Sequence, residues 1–113
     1  MINLLTAVIR PHALETTKDA LKSVGISGIT VTEVRGVGRQ GGHTETYRGA
    51  EYTIDLLPKI KVEVLLPDEL IDDAIAAVVG AARSDKIGDG KIWVVPVARA
   101  VRIRTGEMGV DAI

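Results

Sequence analysis

Hydrophobic and polar positions along the chain fall into two repeating patterns, one with the period of a strand and one with the period of a helix. Residues 2–9 are almost continuously apolar, as in a central strand with both faces covered. Pro11 stands where a helix can begin. Leu14, Thr17, Leu21 and Val24 follow at three- and four-residue spacing, and Gly25 is a natural stop. Ile29–Val34 alternates as a strand. Ile60, Val62, Val64 and Leu66 alternate with Lys59, Lys61, Glu63 and Leu65, the cleanest period of two in the chain. Pro67-Asp68 then offers an N-cap. Leu70/Ile71, Ala74/Ile75, Val78/Val79 and Ala82 trace the apolar stripe of a second helix ending near Arg83. A glycine-rich turn at about 84–91 precedes a strand over Ile92–Val97. Val101–Thr105 alternates again, which predicts a short extra strand in a C-terminal segment of about 99–113, with Arg102 and Arg104 on one face. The order β-α-β-β-α-β predicts an α+β, ferredoxin-like sandwich of the split-βαβ kind in a single domain, 1–113.

One segment fits neither period. Between the second and third predicted strands, about 37–57, lies a polar stretch of some twenty residues. Hairpins usually close in about two to five. Five glycines fall between Gly36 and Gly49, so a flexible loop is expected, carrying Arg48, His43 and both tyrosines, Tyr47 and Tyr52. A loop of this length in a domain this small is expected to be functional.

Composition narrows the choice. Apolar residues make up 46% of the 113, yet there is no Phe and one Trp. The core must be built from Val, Ile, Leu and Ala. A domain of this size buries only about two-thirds of its unfolded surface, which favours self-association. The net charge of −1 gives no global attraction to nucleic acid or an anionic membrane. No cysteine is present, so disulfides and thiolate chemistry are excluded. Residues 1–9 lack the basic flank and cleavage site of a signal peptide, and no apolar run reaches the roughly 18 residues of a membrane span. A cytoplasmic protein is expected, with no nucleic-acid partner.

The candidate chemistry is anion binding. Arg39, Lys59, Lys61, Lys91, Arg102 and Arg104 cluster around the two glycine-rich segments. Gly88-Asp89-Gly90-Lys91 lacks the Walker spacing, but glycines admit backbone N–H groups close to phosphate oxygens and a lysine adds charge. Arg102 and Arg104 offer forked donors. The set suits a polyphosphate, most simply a nucleotide. Catalytic residues are not evident: His12 and His43 are the only histidines, and no metal constellation is spaced in the sequence. Asp72, Asp73 and Glu69 read as the wet face of the second helix.

Gly38–Glu45, Tyr47–Tyr52, Lys86–Ile92 and Val101–Glu107 together resemble the signatures of the PII nitrogen-regulatory proteins, in order and at that family's spacing, and the similarity extends to Asp111-Ala112-Ile113. The resemblance implies a homotrimeric regulator, not an enzyme, with ATP or ADP in clefts between subunits. It implies nucleotide contacts from Thr30, Gly36, Arg39, Glu63, Gly88, Asp89, Gly90 and Lys91, with Arg102 and Arg104 supplied by the neighbouring subunit. It also implies 2-oxoglutarate binding through Gln40, Gly41 and Lys59, with Gln40 ligating Mg²⁺. Tyr52 matches a uridylylated or adenylylated tyrosine, and Arg48 with Tyr52 forms the partner contact. The implied partners are an ammonium transporter, a nucleotidylyltransferase, a sensor kinase or a metabolic enzyme, with membrane recruitment only through the transporter. A small phosphate-handling enzyme of the acylphosphatase kind and a trimeric ion-tolerance scaffold are the alternatives on this fold. The chain departs from the family pattern at Gly41, where lysine is common, at Ala50, where some relatives carry a phosphorylated serine, and at Ser84-Asp85, where Thr-Gly is frequent.

Overall fold

The computed structural model describes residues 1–37, 43–47, 50–54 and 56–113, with side chains described outside 38–55. In chain order the elements are β1 (Ile2–Ile9), α1 (Leu14–Ser23), β2 (Thr30–Gly36), β3 (His43–Tyr47), β4 (Ala50–Ile54), β5 (Leu57–Pro67), α2 (Ile71–Ala82) and β6 (Gly90–Val97). Single 3-10 turns at Pro11–Ala13 and Asp68–Leu70 lead into the two helices. β2, β5, β1 and β6 form one antiparallel sheet in that order. This is the ferredoxin-like α+β arrangement that the strand and helix periods predict.

Strand parity decides where the core lies. Leu5 stands opposite Val64 and Val94, Ala7 opposite Val62 and Ile92, and Ile9 opposite Ile60. Directly opposed residues share a face, so these rungs form one apolar surface beneath the helices. Leu21, Ile26, Ala74 and Val78 complete the buried cluster above it. The other face carries Leu4 between Leu65 and Val95, Thr6 between Glu63 and Trp93, and Val8 between Lys61 and Lys91. Among the described residues neither α1 nor α2 packs on this second face, and Leu65, Trp93 and Val95 remain substantially exposed on it.

Local chemistry fixes the helix ends. Gly25, at φ +94°, follows α1. Its N–H donates to the Lys22 carbonyl, and the Ile26 N–H reaches back to Leu21 at 3.1 Å. That pair of bonds is a Schellman motif, and buried Ile26 and Leu21 supply its usual apolar contact. The start of α2 differs from expectation. Asp68 caps no helix with its side chain. Its carboxylate instead accepts Asn3 Nδ2 at 2.6 Å and lies 3.7 Å from the α-ammonium of Met1. Those donors from β1 outcompete the backbone for the carboxylate.

Two further expectations are corrected. The segment between β2 and β5 holds a two-stranded ribbon, β3 with β4, from His43 opposite Ile54 to Tyr47 opposite Ala50. Its sequence alternates polar with polar, which hid the strands from a hydrophobicity reading. Val101–Thr105 is no strand. Only Val101 bridges, to Met108, and a tight turn is closed by Arg102 N–H to Glu107 and Gly106 N–H to Arg102, both 2.8 Å. Alternation alone does not make a strand where the backbone pairs with itself in a turn.

Thr17 on α1 is fully buried and its hydroxyl finds no partner among the described residues. Replacing a buried, unpaired hydroxyl by a methyl of the same shape removes a desolvation cost without creating a cavity. Thr17→Val is therefore expected to raise stability by about 1 kcal/mol. Urea unfolding checks this: the midpoint should rise at an unchanged slope. A lower midpoint would mean that the hydroxyl is satisfied in solution.

Candidate functional site

β1, β5 and β6 all bring chemistry to the same end of the sheet. β1 runs out at Ile9, opposite Ile60 of β5 and Gly90 of β6. One step further, Arg10 falls between Lys59 and Asp89. Its Nε lies 3.4 Å from Asp89 Oδ1, and its Nη2 donates to the Ile87 carbonyl at 2.6 Å. Lys59 Nζ donates to the neighbouring Gly88 carbonyl at 2.8 Å. Arg10 was not among the sequence-based candidates. A single charge closing an otherwise apolar strand was the available signal.

The turn before β6 is braced from within. Asp89 accepts from the Ser84 N–H at 2.7 Å and from the Ser84 hydroxyl. The Ser84 hydroxyl, then the Ser84 N–H, hold its carboxyl below the usual carboxylate range, with a smaller contribution from Arg10. Asp85 sits at φ +63° and pairs with Arg83 at 2.7 Å. Gly90 has φ +110°, and a Cβ there would stand 1.8 Å from the Val8 carbonyl oxygen. Only glycine fits so close to the β1 backbone. Lys91 is already on β6, opposite Val8, rather than in the turn.

Burial lowers the pKa of Lys59, and the Arg10 guanidinium beside it acts in the same direction, with Asp89 opposing both. Two cations thus share one small region with a single carboxylate that is already engaged. An open cleft of about 340 Å³ adjoins them, lined by Arg10, His12, Leu57, Lys59 and Ile87. An anion entering here would relieve the repulsion.

The predicted nucleotide residues form two groups on the chain. Lys59 and the Gly88–Lys91 run make the first. Thr30 and Glu63, opposed across β2 and β5, belong to a second, and both line a cleft of about 740 Å³ with Gly28, Leu65, Val110 and Ile113. Glu63 is four residues along β5 from Lys59, roughly 13 Å at strand rise. Gly36 closes β2 opposite Leu57. Arg102 and Arg104 reach neither group through a polar contact among the described residues. Arg102 pairs with Glu107 at 3.4 Å, and Ile103 between the two arginines is 100% exposed. Arg39, Gln40, Gly41, Arg48 and Tyr52 lie outside the residues whose side chains are described. Among the described residues no three His, Asp or Glu side chains gather to hold a metal.

Since ionised Asp89 is favoured by folding, its contribution to stability is present above the ordinary carboxylate pKa and lost as pH falls through its lower folded value. Asp89→Asn is expected to lower the thermal midpoint near neutral pH and to flatten the acid side of the midpoint-against-pH curve. An acid side as steep as in the parent would show that Asp89 does not brace the turn.

Comparison with known proteins bears on the whole chain. The family model for nitrogen regulatory protein P-II matches residues 2–107. The chain is 60% identical over 107 residues to a nitrogen regulatory protein P-II of Rhodobacter capsulatus, covering 95% of this chain and 96% of that protein. It is 59% identical over 109 residues to one of Azospirillum brasilense, covering 96% and 97%. It is 54% identical over 103 residues to nitrogen regulatory protein P-II 1 of Escherichia coli strain K12, covering 91% and 92%. These relatives are named as regulators rather than enzymes. No helix among the described residues is long and apolar enough to cross a membrane. With the family model matched over residues 2–107 and relatives at 54–60% identity over nearly the full length, the chain belongs to the P-II family of nitrogen regulatory proteins.

Proposed function

We propose that this regulator reports nitrogen, carbon and energy state by binding ATP or ADP, and with ATP also Mg²⁺ and 2-oxoglutarate, at clefts between the subunits of a homotrimer. The observation that carries the reading is the meeting of Lys59, Arg10 and the Gly88–Lys91 backbone at one end of the sheet, with an open cleft beside them. That set suits phosphate and carboxylate oxygens.

The division of the candidate residues into two groups supports an intersubunit site. Phosphates on the turn of one chain would leave the base to the Thr30–Glu63 cleft of another, with Arg102 and Arg104 closing over the phosphates from that second chain. The uncovered sheet face, with Leu4, Leu65, Trp93 and Val95, is the surface that self-association would bury. Apolar area of that kind gains about 25 cal/mol per Å² when covered.

Gln40 would help hold Mg²⁺, a hard cation that favours oxygen donors and would offset the charge of phosphate and carboxylate groups. The described residues contain no carboxylate cluster to hold it, so the ligand and Gln40 would provide its shell. Lys59 would pair with the effector's distal carboxylate, and its lowered pKa, caused chiefly by burial, is the cost that such a pairing offsets. ADP, lacking the γ-phosphate, would leave that shell incomplete. The segment at 37–57 would carry the difference to a partner through Arg48 and Tyr52. An ammonium transporter, a nucleotidylyltransferase, a sensor kinase or a metabolic enzyme fits that role, with Tyr52 open to nucleotidylylation. A coupling of about 1–3 kcal/mol between ligands and partner would suffice.

Calorimetry with ATP, ADP and ATP plus 2-oxoglutarate tests the ligand assignment. Gln40→Ala is expected to keep ATP binding and to lose most of the increment from 2-oxoglutarate. A full increment in that variant would refute the role of Gln40, and no nucleotide binding by the parent would refute the reading as a whole. Sedimentation is expected to give three times the 12.0 kDa chain mass, whereas a monomer at micromolar concentration would leave no intersubunit cleft.

A further inference from the structure

We propose that Arg10 is a positioning residue that shapes the glycine turn into an anion site formed by the backbone N–H groups of Gly88 and Asp89. The inference rests on the nucleotide reading for the identity of the anion, but its geometry stands on the turn alone.

A trans peptide is planar, so the carbonyl of one residue and the N–H of the next point in opposite directions. Arg10 Nη2 holds the Ile87 carbonyl at 2.6 Å, which aims the Gly88 N–H away from Arg10. Lys59 Nζ holds the Gly88 carbonyl at 2.8 Å, which aims the Asp89 N–H away from Lys59. Neither N–H has an acceptor among the described residues. Successive, unpaired N–H groups in such a turn make a concavity with partial positive charge. The two cations therefore act twice: they draw in the carbonyls, which would repel a phosphate, and present the donors that attract one.

Arg10 is the more exacting of the two. It alone spans from Ile87 to Asp89, and Asp89 in turn is tied to Ser84. Arg10 Nη2 holds one end of the turn by a hydrogen bond. Its Nε lies 3.4 Å from the carboxylate at the other end, an ion pair without a hydrogen bond. A lysine ammonium would reach one end alone. Asp89, expected as a phosphate contact, has its carboxylate committed to Ser84 and Arg10, which leaves its N–H as the group facing an anion.

The test uses the full chain with Arg10→Ala and Arg10→Lys, each first shown to keep a parental oligomeric state and a cooperative thermal transition. In the ligand-free protein, the NMR amide signals of Gly88 and Asp89 are expected to shift or broaden in Arg10→Ala and to recover in part in Arg10→Lys. Affinities for ATP and ADP should fall together in Arg10→Ala, by about tenfold each, the loss expected for a charge-assisted bond. The increment from 2-oxoglutarate should survive on whatever ATP remains bound. Unchanged ATP and ADP affinities in a folded Arg10→Ala protein would overturn the proposal. So would a loss confined to the 2-oxoglutarate increment, since Arg10 would then touch the effector itself. If the parent binds neither nucleotide but its Gly88 and Asp89 amides respond to pyrophosphate, the nucleotide reading fails and the anion site stands. Amides that ignore both ATP and pyrophosphate would remove the site.

Discussion

The position of β1 between β5 and β6 is the constraint on which the rest of this protein depends. Its Leu5, Ala7 and Ile9 are buried on the helix side and fix its register against Val64, Val62 and Ile60. A slip of one residue would turn that whole set to the opposite face. The same register delivers Arg10 to the gap between Lys59 and Asp89. The cationic cluster is thus placed by the packing of residues buried in the core.

Much of this was legible in the amino-acid pattern. β5 announces itself through Ile60, Val62, Val64 and Leu66, and the core rungs follow from that parity. Gly25 marks the end of α1 for a reason visible in the chain, since only glycine takes its φ of +94° without strain. Other features were hidden because they depend on distant partners. Asp68 reads as a cap until Asn3 is brought beside it by a separation of 65 residues in sequence. Val101–Thr105 has strand periodicity but closes into a turn through Arg102, Gly106 and Glu107. β3 and β4 carry so little hydrophobic contrast that backbone pairing alone reveals them. At the site, the glycines and lysines of the turn stand out in sequence, whereas Arg10 acquires meaning only once three strand ends converge.

The electrostatics of the site follow from the same convergence. Arg10 and Lys59 would repel each other if left alone, and Asp89 offsets part of that repulsion. The carboxylate is itself held by Ser84, which keeps it beside Arg10. Ser84 supplies the bracing N–H and hydroxyl, and Asp85 is drawn to Arg83 rather than toward the turn's inner donors.

The close approach of Gly90 to β1 has a consequence for inheritance of damage within the molecule. Any side chain at position 90 would push on the Val8 carbonyl. Val8 is flanked by Lys61 and Lys91 on the sheet face opposite α1 and α2. A lesion in the turn would thereby be copied onto the face where copies of the chain are proposed to meet. The shape of the turn and the shape of that face are thus set by the position of one peptide bond.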